Sequence, residues 1–538
     1  MIRSELALRD GRIGVMDAGG WEMRVSSRWG LVVALALVAA ACGGGQSEQT
    51  GSVGQPRRGG DLVIARVADS QSMDKTTVFD NESIWIFEQV FETLYTVRPD
   101  GQGVIPWLAT SYDLSPDKLT YTFHLRQGVR FSTGQPMTSK DVKFSIDEAR
   151  AAKQGWGYID TAIKDVQAPD PTTVVIHTKF PWAPLLADLA LFANGIVPSN
   201  YGGASKSEFY QHPVGTGPFK WDHWTKGQEL KLVRNPNYWQ AGKPYLNSVT
   251  WTVVGDDNTR ILQLKGGQIQ IDEFPPWSSV ASLKSTPGVV MGLLPSTRTD
   301  YLVLNERLAP FKDVHVRRAI SYALDREAMV RAVLFGNGKP ANSFMPPQVP
   351  FYDSSSPGIT HDPDQAKREM AQSSMPNGFS TTLMVGAGTV TENSLAQIIQ
   401  QALKPLGITV TLQRVDPTTE FTNLQKFDYQ MGFSYWTMDI ADPDELVTFA
   451  VDPTSGSHSF FTDYANKDVI GWTHQAQRSF DVAQRRQLYN QIQAQAAKDA
   501  FLGFLYYSPY AYAYSSKVNG FHVTPMGNYH LEDVWLGG

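Results

Sequence analysis

Four carboxylate side chains lie close together in the stretch MGFSYWTMDIADPDEL, residues 431–446. Asp442, followed by Pro443 and two further acids, has the residue types of a helix start, where an N-cap, an early proline and acids near the positive end of the dipole are favoured. Asp439 lacks this explanation, because it follows an aromatic-rich strand end. A carboxylate in apolar surroundings is costly unless it is hydrogen bonded or paired with a cation. Asp439 is therefore a candidate ligand-binding residue, and an internally paired aspartate is the alternative.

Hydrolysis is the other chemistry that such acids could support. The acids in DIADPDE have no separate environments that the sequence reveals, and no Gly-x-Ser-x-Gly or zinc-binding motif accompanies them. The histidines are scattered without metal-ligand spacing. We therefore predict no catalytic residues, no metal site and no cofactor, and a secreted hydrolase is kept only as an alternative from another class.

The elements that position these residues are indicated by hydrophobic periodicity. Alternation with a period of two predicts strands, and spacing at three to four residues predicts helices. Predicted strands cover 59–69, 119–131 and 247–254; predicted helices cover 81–95, a segment that begins at Thr138 with a capping box to Asp141, a long helix over 314–334, and 483–500; residues 394–415 read as helix, glycine turn and strand. The mixture predicts an α/β class with several mixed sheets.

The N-terminal region contains an apolar run that is too short to span a membrane, LVVALALVAAACGGG from Leu31. Arg24 and Arg28 precede the run, and small residues precede Cys42, the only cysteine. This order resembles a bacterial lipoprotein signal, which implies lipidation of Cys42 and attachment to the outer face of the cytoplasmic membrane. We predict that 1–22 is an untranslated extension, 23–41 the signal peptide and 42–58 a flexible tether. A buried Cys42 thiol is the alternative.

Charge and cysteine content limit the partners. The chain has a formal net charge of −6, which argues against nucleic acid or an anionic lipid surface as partner. A single cysteine spent on lipid leaves none for disulfides, so an exported chain must rely on core size for stability.

Four stretches, in order, resemble the extracellular solute-binding proteins of the peptide/nickel class, family 5, which serve ABC importers. They are the region VFETLYTVRPDGQGVIPWLATSYDL through RFSTGQPMTSKDVKFS, the region VGTGPFKWDHWTKGQELKLVRNPNYW through NSVTWTVVGDD, the segment TDYLVLNERLAPFKDVHVRRAISYALDREAMV, and the segment WTMDIADPDEL. The resemblance covers nearly all of residues 59–538.

The resemblance implies a two-lobed, periplasmic-binding-protein-like fold with a discontinuous first lobe and an extra subdomain. The expected first-lobe core is 59–92 with 214–299 and 507–538. The inserted subdomain is 93–213, and the second lobe is 300–506. The crossings near STRTDYLVLNE and FLYYSPYAYAYSS would be hinges, and closure would bury the ligand.

The resemblance also implies ligand-binding residues. In peptide-binding members the aspartate at the Asp439 position binds the ligand's α-amino group, with Tyr435 and Trp436 beside it. Other positions fall in cleft-lining regions of relatives, with packing as the alternative: Ser70, Gln71, Trp156, Tyr158 and Gly388. The loop 384–394, MVGAGTVTENS, has no Arg or Lys where dipeptide-specific members carry the arginine that holds a terminal carboxylate.

The implied function is delivery of a ligand to an ABC permease and its ATPase subunits, with an oligopeptide as the expected cargo and a monomer as the expected state. The missing basic residue in the loop leaves an oligosaccharide, a metal chelate or another small solute open as cargo. A receptor that reports its solute to a sensor has the same sequence features.

Overall fold

The computed structural model describes residues 55–538 apart from residues 154 and 357. The predicted extension, the signal peptide, the lipidated Cys42 and most of the tether lie outside the described residues. Residues 54–538 cluster into one compact unit, which contains every feature described below.

The strands in the described part of the chain are numbered in chain order. They are β1 (Asp61–Arg66), β2 (Tyr95–Val97), β3 (Val104–Pro106), β4 (Ala109–Leu114), β5 (Thr120–Leu125), β6 (Ile163–Asp170), β7 (Thr173–Thr178), β8 (Phe219–Thr225), β9 (Glu229–Arg234), β10 (Ser248–Val253), β11 (Ile271–Glu273), β12 (Val289–Leu294), β13 (Thr299–Leu304), β14 (Lys339–Pro340), β15 (Ser380–Gly386), β16 (Thr409–Val415), β17 (Met431–Trp436), β18 (Leu502–Tyr507), β19 (Tyr510–Ser515), β20 (Val518–Asn519) and β21 (Trp535–Leu536).

The α-helices are numbered in the same way. They are α1 (Asn81–Val90), α2 (Ser139–Ala151), α3 (Leu185–Asp188), α4 (Lys206–Phe209), α5 (Asp257–Lys265), α6 (Val280–Lys284), α7 (Ala309–Lys312), α8 (Val314–Ala323), α9 (Arg326–Val333), α10 (Pro363–Gln372), α11 (Val390–Leu403), α12 (Pro417–Lys426), α13 (Pro443–Val451), α14 (Lys467–Arg478) and α15 (Val482–Asp499).

The first sheet has seven strands in the order β12-β19-β11-β1-β10-β9-β8. β1 lies between two parallel neighbours, and the outer strands are antiparallel. Leu62 and Ile64 of β1 are fully buried and pack in one core with Trp85 and Phe87 of α1. Strand β19 comes from the C-terminal part of the chain, so this sheet joins sequence segments more than 400 residues apart.

The second sheet has six strands in the order β14-β18-β13-β17-β15-β16. Every residue of its inner strand β13 is buried. Tyr301 and Val303 face one hydrophobic core and Leu302 and Leu304 face another, as the two-residue period of a strand requires. Helices therefore cover both faces of this sheet.

A third sheet of four antiparallel strands, β4-β5-β7-β6, has its own hydrophobic core. Its strands lie within residues 109–178, inside the predicted inserted subdomain. The domain limits given above stay a prediction.

Two predicted helices were wrong in extent. The helix predicted over 81–95 ends at Val90, because Phe91 is extended and the chain turns toward β2. The long helix predicted over 314–334 is two helices, α8 and α9, separated at Leu324 and Asp325. The side chain of Asp325 accepts a hydrogen bond from the amide of Ala328 and so caps a new helix.

Other local predictions are confirmed. Thr138 and Asp141 form the capping box at the start of α2. Asp442 caps α13, with Pro443 in the first turn. Gly407, with φ of 75°, makes the turn that leads to β16.

Across residues 55–538, apart from the two gaps, none of the helices has the length and apolar character needed to cross a lipid bilayer. The same part of the chain contains no group of three or more His, Cys, Asp or Glu side chains placed to hold a metal ion.

Candidate ligand-binding cleft

A cavity of about 660 Å³ lies between the first and second sheets. On the first-sheet side it is lined from α1, from the segment after β11 and from β19; on the second-sheet side it is lined from α11, α12, β17 and β18. The main lining residues are Glu82, Trp85, Phe274, Trp277, Tyr510, Thr389, Glu392, Glu420, Phe421, Phe433, Tyr435 and Tyr506. The volume is that of a typical small-ligand pocket, about 300–1,000 Å³.

Aromatic rings form much of the first-sheet wall. Phe274 is 37% exposed, and its ring lies 5.7 Å from that of the buried Trp85. Its backbone has φ of 55°, which is unfavourable for a bulky residue and persists only where the surroundings hold it. The amide of Phe274 donates to the carbonyl of Ala511 at 3.0 Å, which fixes this strained position. Such strain is commonly found where a side chain is presented to a ligand.

Arg298 is the one basic residue that lines the cavity within the described chain. Its guanidinium makes two hydrogen bonds to Asp300, at 2.9 and 2.6 Å, and lies 3.7 Å from the ring centre of Tyr435. Ser508 donates to the same carboxylate at 3.0 Å. The charge of Arg298 is thus already matched by Asp300, and the remaining acids leave the lining negative. Sequence reasoning missed Arg298, since a lone arginine in a predicted hinge carries no distinguishing pattern.

Asp439 lies beside Glu445 rather than beside a cation. The two carboxyl groups hydrogen bond to each other, and the amide of Asp439 donates to Glu445 Oε2 at 3.4 Å. Burial raises the pKa of Asp439 and holds that of Glu445 well above its usual range. Two buried carboxylates this close cannot both ionise cheaply, which favours the protonated form of the pair. The charge of Asp439 also helps to raise the pKa of the cavity-lining Tyr510, after the larger effect of burial and alongside the opposing Arg298.

Tyr435 and Trp436 point to different sides of β17. Tyr435 is 50% exposed and lines the cavity. Trp436 does not line this cavity: its ring stacks on Phe449 at 5.1 Å and on Phe460 at 4.9 Å. The indole nitrogen donates to Glu445 Oε1 at 3.2 Å. Trp436 therefore contacts the acid pair from outside the cavity lining, and its implied role in ligand binding stays a prediction.

Tyr158 and Trp156 also differ in their surroundings. The ring of Tyr158 lies 5.1 Å from that of Phe449, so it joins the group around Trp436, and Glu445 and Asp439 add to the effect of burial in raising its pKa. Trp156 is 3% exposed and donates to the carbonyl of Val78 at 2.8 Å. The packing alternative describes Trp156 in this structure, because its surface is taken up by neighbouring rings.

Of the predicted site residues, Tyr435 alone is among the described residues that line the cavity; Asp439, Trp436, Trp156, Tyr158, Ser70, Gln71 and Gly388 lie outside its lining. Ser70 is buried, accepts from Arg66 and donates to the carbonyl of Glu82, so its hydroxyl has internal partners. Gln71 is exposed, and its backbone amide donates a hydrogen bond to Ser83 Oγ. Gly388 is exposed with φ of 83°, next to the lining residue Thr389.

Comparisons with known proteins place this fold in a family. The model described as "Bacterial extracellular solute-binding proteins, family 5 Middle" matches residues 103–458. The chain is 31% identical to the probable D,D-dipeptide-binding periplasmic protein DdpA of Escherichia coli over 490 residues, which are 88% of this chain and 93% of the relative. The chain therefore belongs to the extracellular solute-binding proteins of family 5, as the sequence resemblance predicted.

Solved structures of similar fold support the same family assignment. The ABC transporter-associated periplasmic binding protein DppA from Helicobacter pylori, in complex with the peptide STSA, superposes with a TM-score of 0.80 at 29% identity, covering 90% of this chain and 99% of that one. The oligopeptide-binding protein AppA from Bacillus subtilis, in complex with a nonapeptide, gives 0.76 at 25% identity, with 90% and 100% covered. The predicted fold class, a mixed α/β protein of two lobes, is confirmed.

Proposed function

We propose that this protein is an extracellular solute-binding lipoprotein that delivers an oligopeptide to an ABC importer. It would hold the peptide in the cavity between the two large sheets and pass it, chemically unchanged, to a membrane permease driven by ATPase subunits. The cavity carries the proposal, because its walls come from both halves of the fold. A ligand that contacts both walls favours the closed arrangement over the open one by its differential affinity.

The acid pair supports a ligand with a free amino group. The raised pKa values of Asp439 and Glu445 favour a proton on the empty pair, and neither side chain faces a basic side chain in the described structure. A peptide ammonium could replace that proton and bring a positive charge to two desolvated carboxyl groups. Tyr158 and Trp436 would keep water from this end of the site. Asp439 is then the side chain that binds the α-amino group.

The lack of a free basic side chain in the described lining of the cleft supports a peptide that is longer than two residues. The loop 384–394 offers no Arg or Lys for a terminal carboxylate, and Arg298 is already occupied by Asp300. A ligand whose C-terminus is not fixed by charge suits this lining. Among the similar solved structures, one holds the tetrapeptide STSA and another a nonapeptide.

The test begins with native mass spectrometry of gently purified protein, to identify any peptide that copurifies. Calorimetry then compares wild type with Asp439→Asn. We expect the variant to bind the identified peptide about 10- to 100-fold more weakly, as for a lost charged hydrogen bond, and to keep its melting temperature. N-acetylation of the peptide should weaken binding to wild type by a similar factor and have little effect on the variant. Equal affinity of both proteins for the free peptide would refute the role of Asp439, and a bound sugar or chelate would refute the peptide cargo.

The anchor is tested separately on the full chain in its native bacterium. Mass analysis of the mature N-terminus should find Cys42 as its first residue, carrying lipid, and Cys42→Ala should move the protein from the membrane fraction to the soluble fraction. Recovery of residues 1–22, or an unmodified cysteine in the membrane fraction, would contradict this part of the proposal. Light scattering of the anchor-free protein should give a monomer.

A further inference from the structure

Two glutamates of the cavity lie together on the second-sheet side. Glu392 is in the first turn of α11, and Glu420 is in α12. Glu392 Oε2 accepts a hydrogen bond from the amide of Gly386 at 2.7 Å, so one of its oxygens has a local partner. Both side chains line the cavity, with Phe421 and Leu424 next to them.

The carboxyl group of Glu420 has fewer hydrogen-bond partners than that of Glu392. The residue is only 8% exposed, and its Oε1 has no hydrogen-bond partner among the described residues. Buried carboxyl oxygens are normally hydrogen bonded, and an unpaired one costs a large share of its hydration free energy. An unpartnered acceptor that lines a ligand-sized cavity indicates a group that is supplied from outside the protein.

Gly386 explains how the two carboxyl groups come so close. A Cβ on this residue would lie 2.9 Å from Glu420 Oε2 and 3.1 Å from Glu392 Oε2. The absence of a side chain therefore leaves room for both acids at the end of β15. In the described part of the chain neither glutamate forms an ion pair with Lys, Arg or His, and the cavity's Arg298 is paired with Asp300.

We propose that Glu392 and Glu420 form a subsite for a cationic side chain of the bound ligand, an alkylammonium or guanidinium group. The subsite rests on the proposed function and narrows it, since the cleft would then select peptides that contain lysine or arginine.

The surroundings favour an organic cation over a metal ion. Calcium takes six to eight oxygen ligands, and the described residues contain no group of three or more His, Cys, Asp or Glu side chains placed to hold a metal ion. Phe421, 53% exposed beside Glu420, offers a ring to the apolar stem or the charged head of such a side chain. Burial and then the charge of Glu392 raise the pKa of Glu420 to about 7, so a proton competes with a bound cation below about pH 7 and competes little at pH 8.

The experiment measures nine tetra-alanine peptides that carry a single lysine, norleucine or glutamate at position 2, 3 or 4. Affinities for ligand-free protein are measured by calorimetry at pH 8 for wild type, Glu420→Gln and Gly386→Ala. At one position or more, wild type should prefer lysine to norleucine at least tenfold and should reject glutamate. Glu420→Gln should reduce this preference to about threefold or less while leaving the norleucine affinity nearly unchanged. Gly386→Ala, which pushes the carboxyl groups apart, should do the same.

The outcomes separate the subsite from the proposed function. Peptides that bind with equal affinity for lysine and norleucine, or a lysine preference that Glu420→Gln leaves intact, would overturn the subsite and leave the proposed function standing. If none of the nine peptides binds wild type, the peptide function fails. The subsite is then decided by agmatine and 1,5-diaminopentane: a rise in the melting temperature of wild type that Glu420→Gln abolishes supports it, and no rise overturns it.

Discussion

At the scale of single residues, Asp442 has both a local and a distant partner. Its side chain caps α13 by accepting from the amide of Asp444 at 3.0 Å. The same carboxylate makes two hydrogen bonds to Arg485, at 2.8 and 2.7 Å, and both side chains are buried. The helix-start pattern predicted the first contact, but nothing near Asp442 in the sequence indicates the second.

Arg485→Ala should be strongly destabilising, because it leaves the buried charge of Asp442 without a cation. We expect a loss of about 3–5 kcal/mol in the free energy of unfolding, measured by urea denaturation. Arg486→Ala is the matched control: this neighbour is exposed, and its removal should cost less than about 1 kcal/mol. Similar losses for both variants would contradict the importance of the buried pair.

At the scale of elements, the unit β15–α11–β16 depends on two glycines that touch. Gly378, with φ of 86°, precedes β15, and Gly407 precedes β16, its parallel partner. A Cβ on Gly378 would lie 2.1 Å from the carbonyl oxygen of Gly407. The two strands can therefore begin side by side only if this position has no side chain.

Gly378→Ala should cost at least about 2 kcal/mol, since the left-handed backbone alone costs an alanine about 1–2 kcal/mol and the backbone clash adds to it. Gly388→Ala has nearly the same backbone angle, φ of 83°, but its Cβ would meet nothing within 4 Å. The difference in urea midpoint between the two variants isolates the clash. Equal midpoints would show that the backbone angle accounts for the whole effect.

At the scale of the whole molecule, buried carboxyl groups with raised pKa values recur outside the lining of the cleft. Burial is the largest cause in each case, and it raises the pKa of Glu92, Asp160 and Glu273 to about 7 and that of Glu306 to about 8. In the unfolded chain these groups would titrate near their ordinary values, about 4. The folded state therefore binds more protons than the unfolded state between about pH 5 and 8.

Stability should fall as pH rises through this range, because the unfolded state holds fewer protons and the linkage slope is negative. Urea denaturation at pH 5, 6, 7 and 8 should show the free energy of unfolding decreasing by at least about 2 kcal/mol. Glu273→Gln keeps an acceptor for Tyr529 and should flatten the decrease. A free energy that rises toward pH 8 would show that these carboxyl groups are not buried with raised pKa values in solution.

The sequence by itself determined the family, the mixed α/β class and the positions of several helices and strands, because periodicity, caps and turn glycines act over a few residues. Thr138, Gly407 and Pro443 are examples. Asp439 was also singled out in this way, as an acid with aromatic neighbours, and its role in ligand binding stays a prediction. The split between α8 and α9 was missed, since the apolar spacing continues across the break and the cap at Asp325 resembles an ordinary exposed acid.

Only the tertiary structure decided how the cleft is lined. Arg298, Glu420 and Phe274 come from separate segments of the sequence. Their partners are fixed by strand pairing and by the close contact of the Glu392 and Glu420 carboxyl groups with Gly386. The side of β17 that faces the cavity was likewise set by its register in the second sheet, which exposes Tyr435 and leaves Trp436 half-buried against Phe449 and Phe460. A contact between distant residues depends on packing of the whole core, so no local pattern carries it.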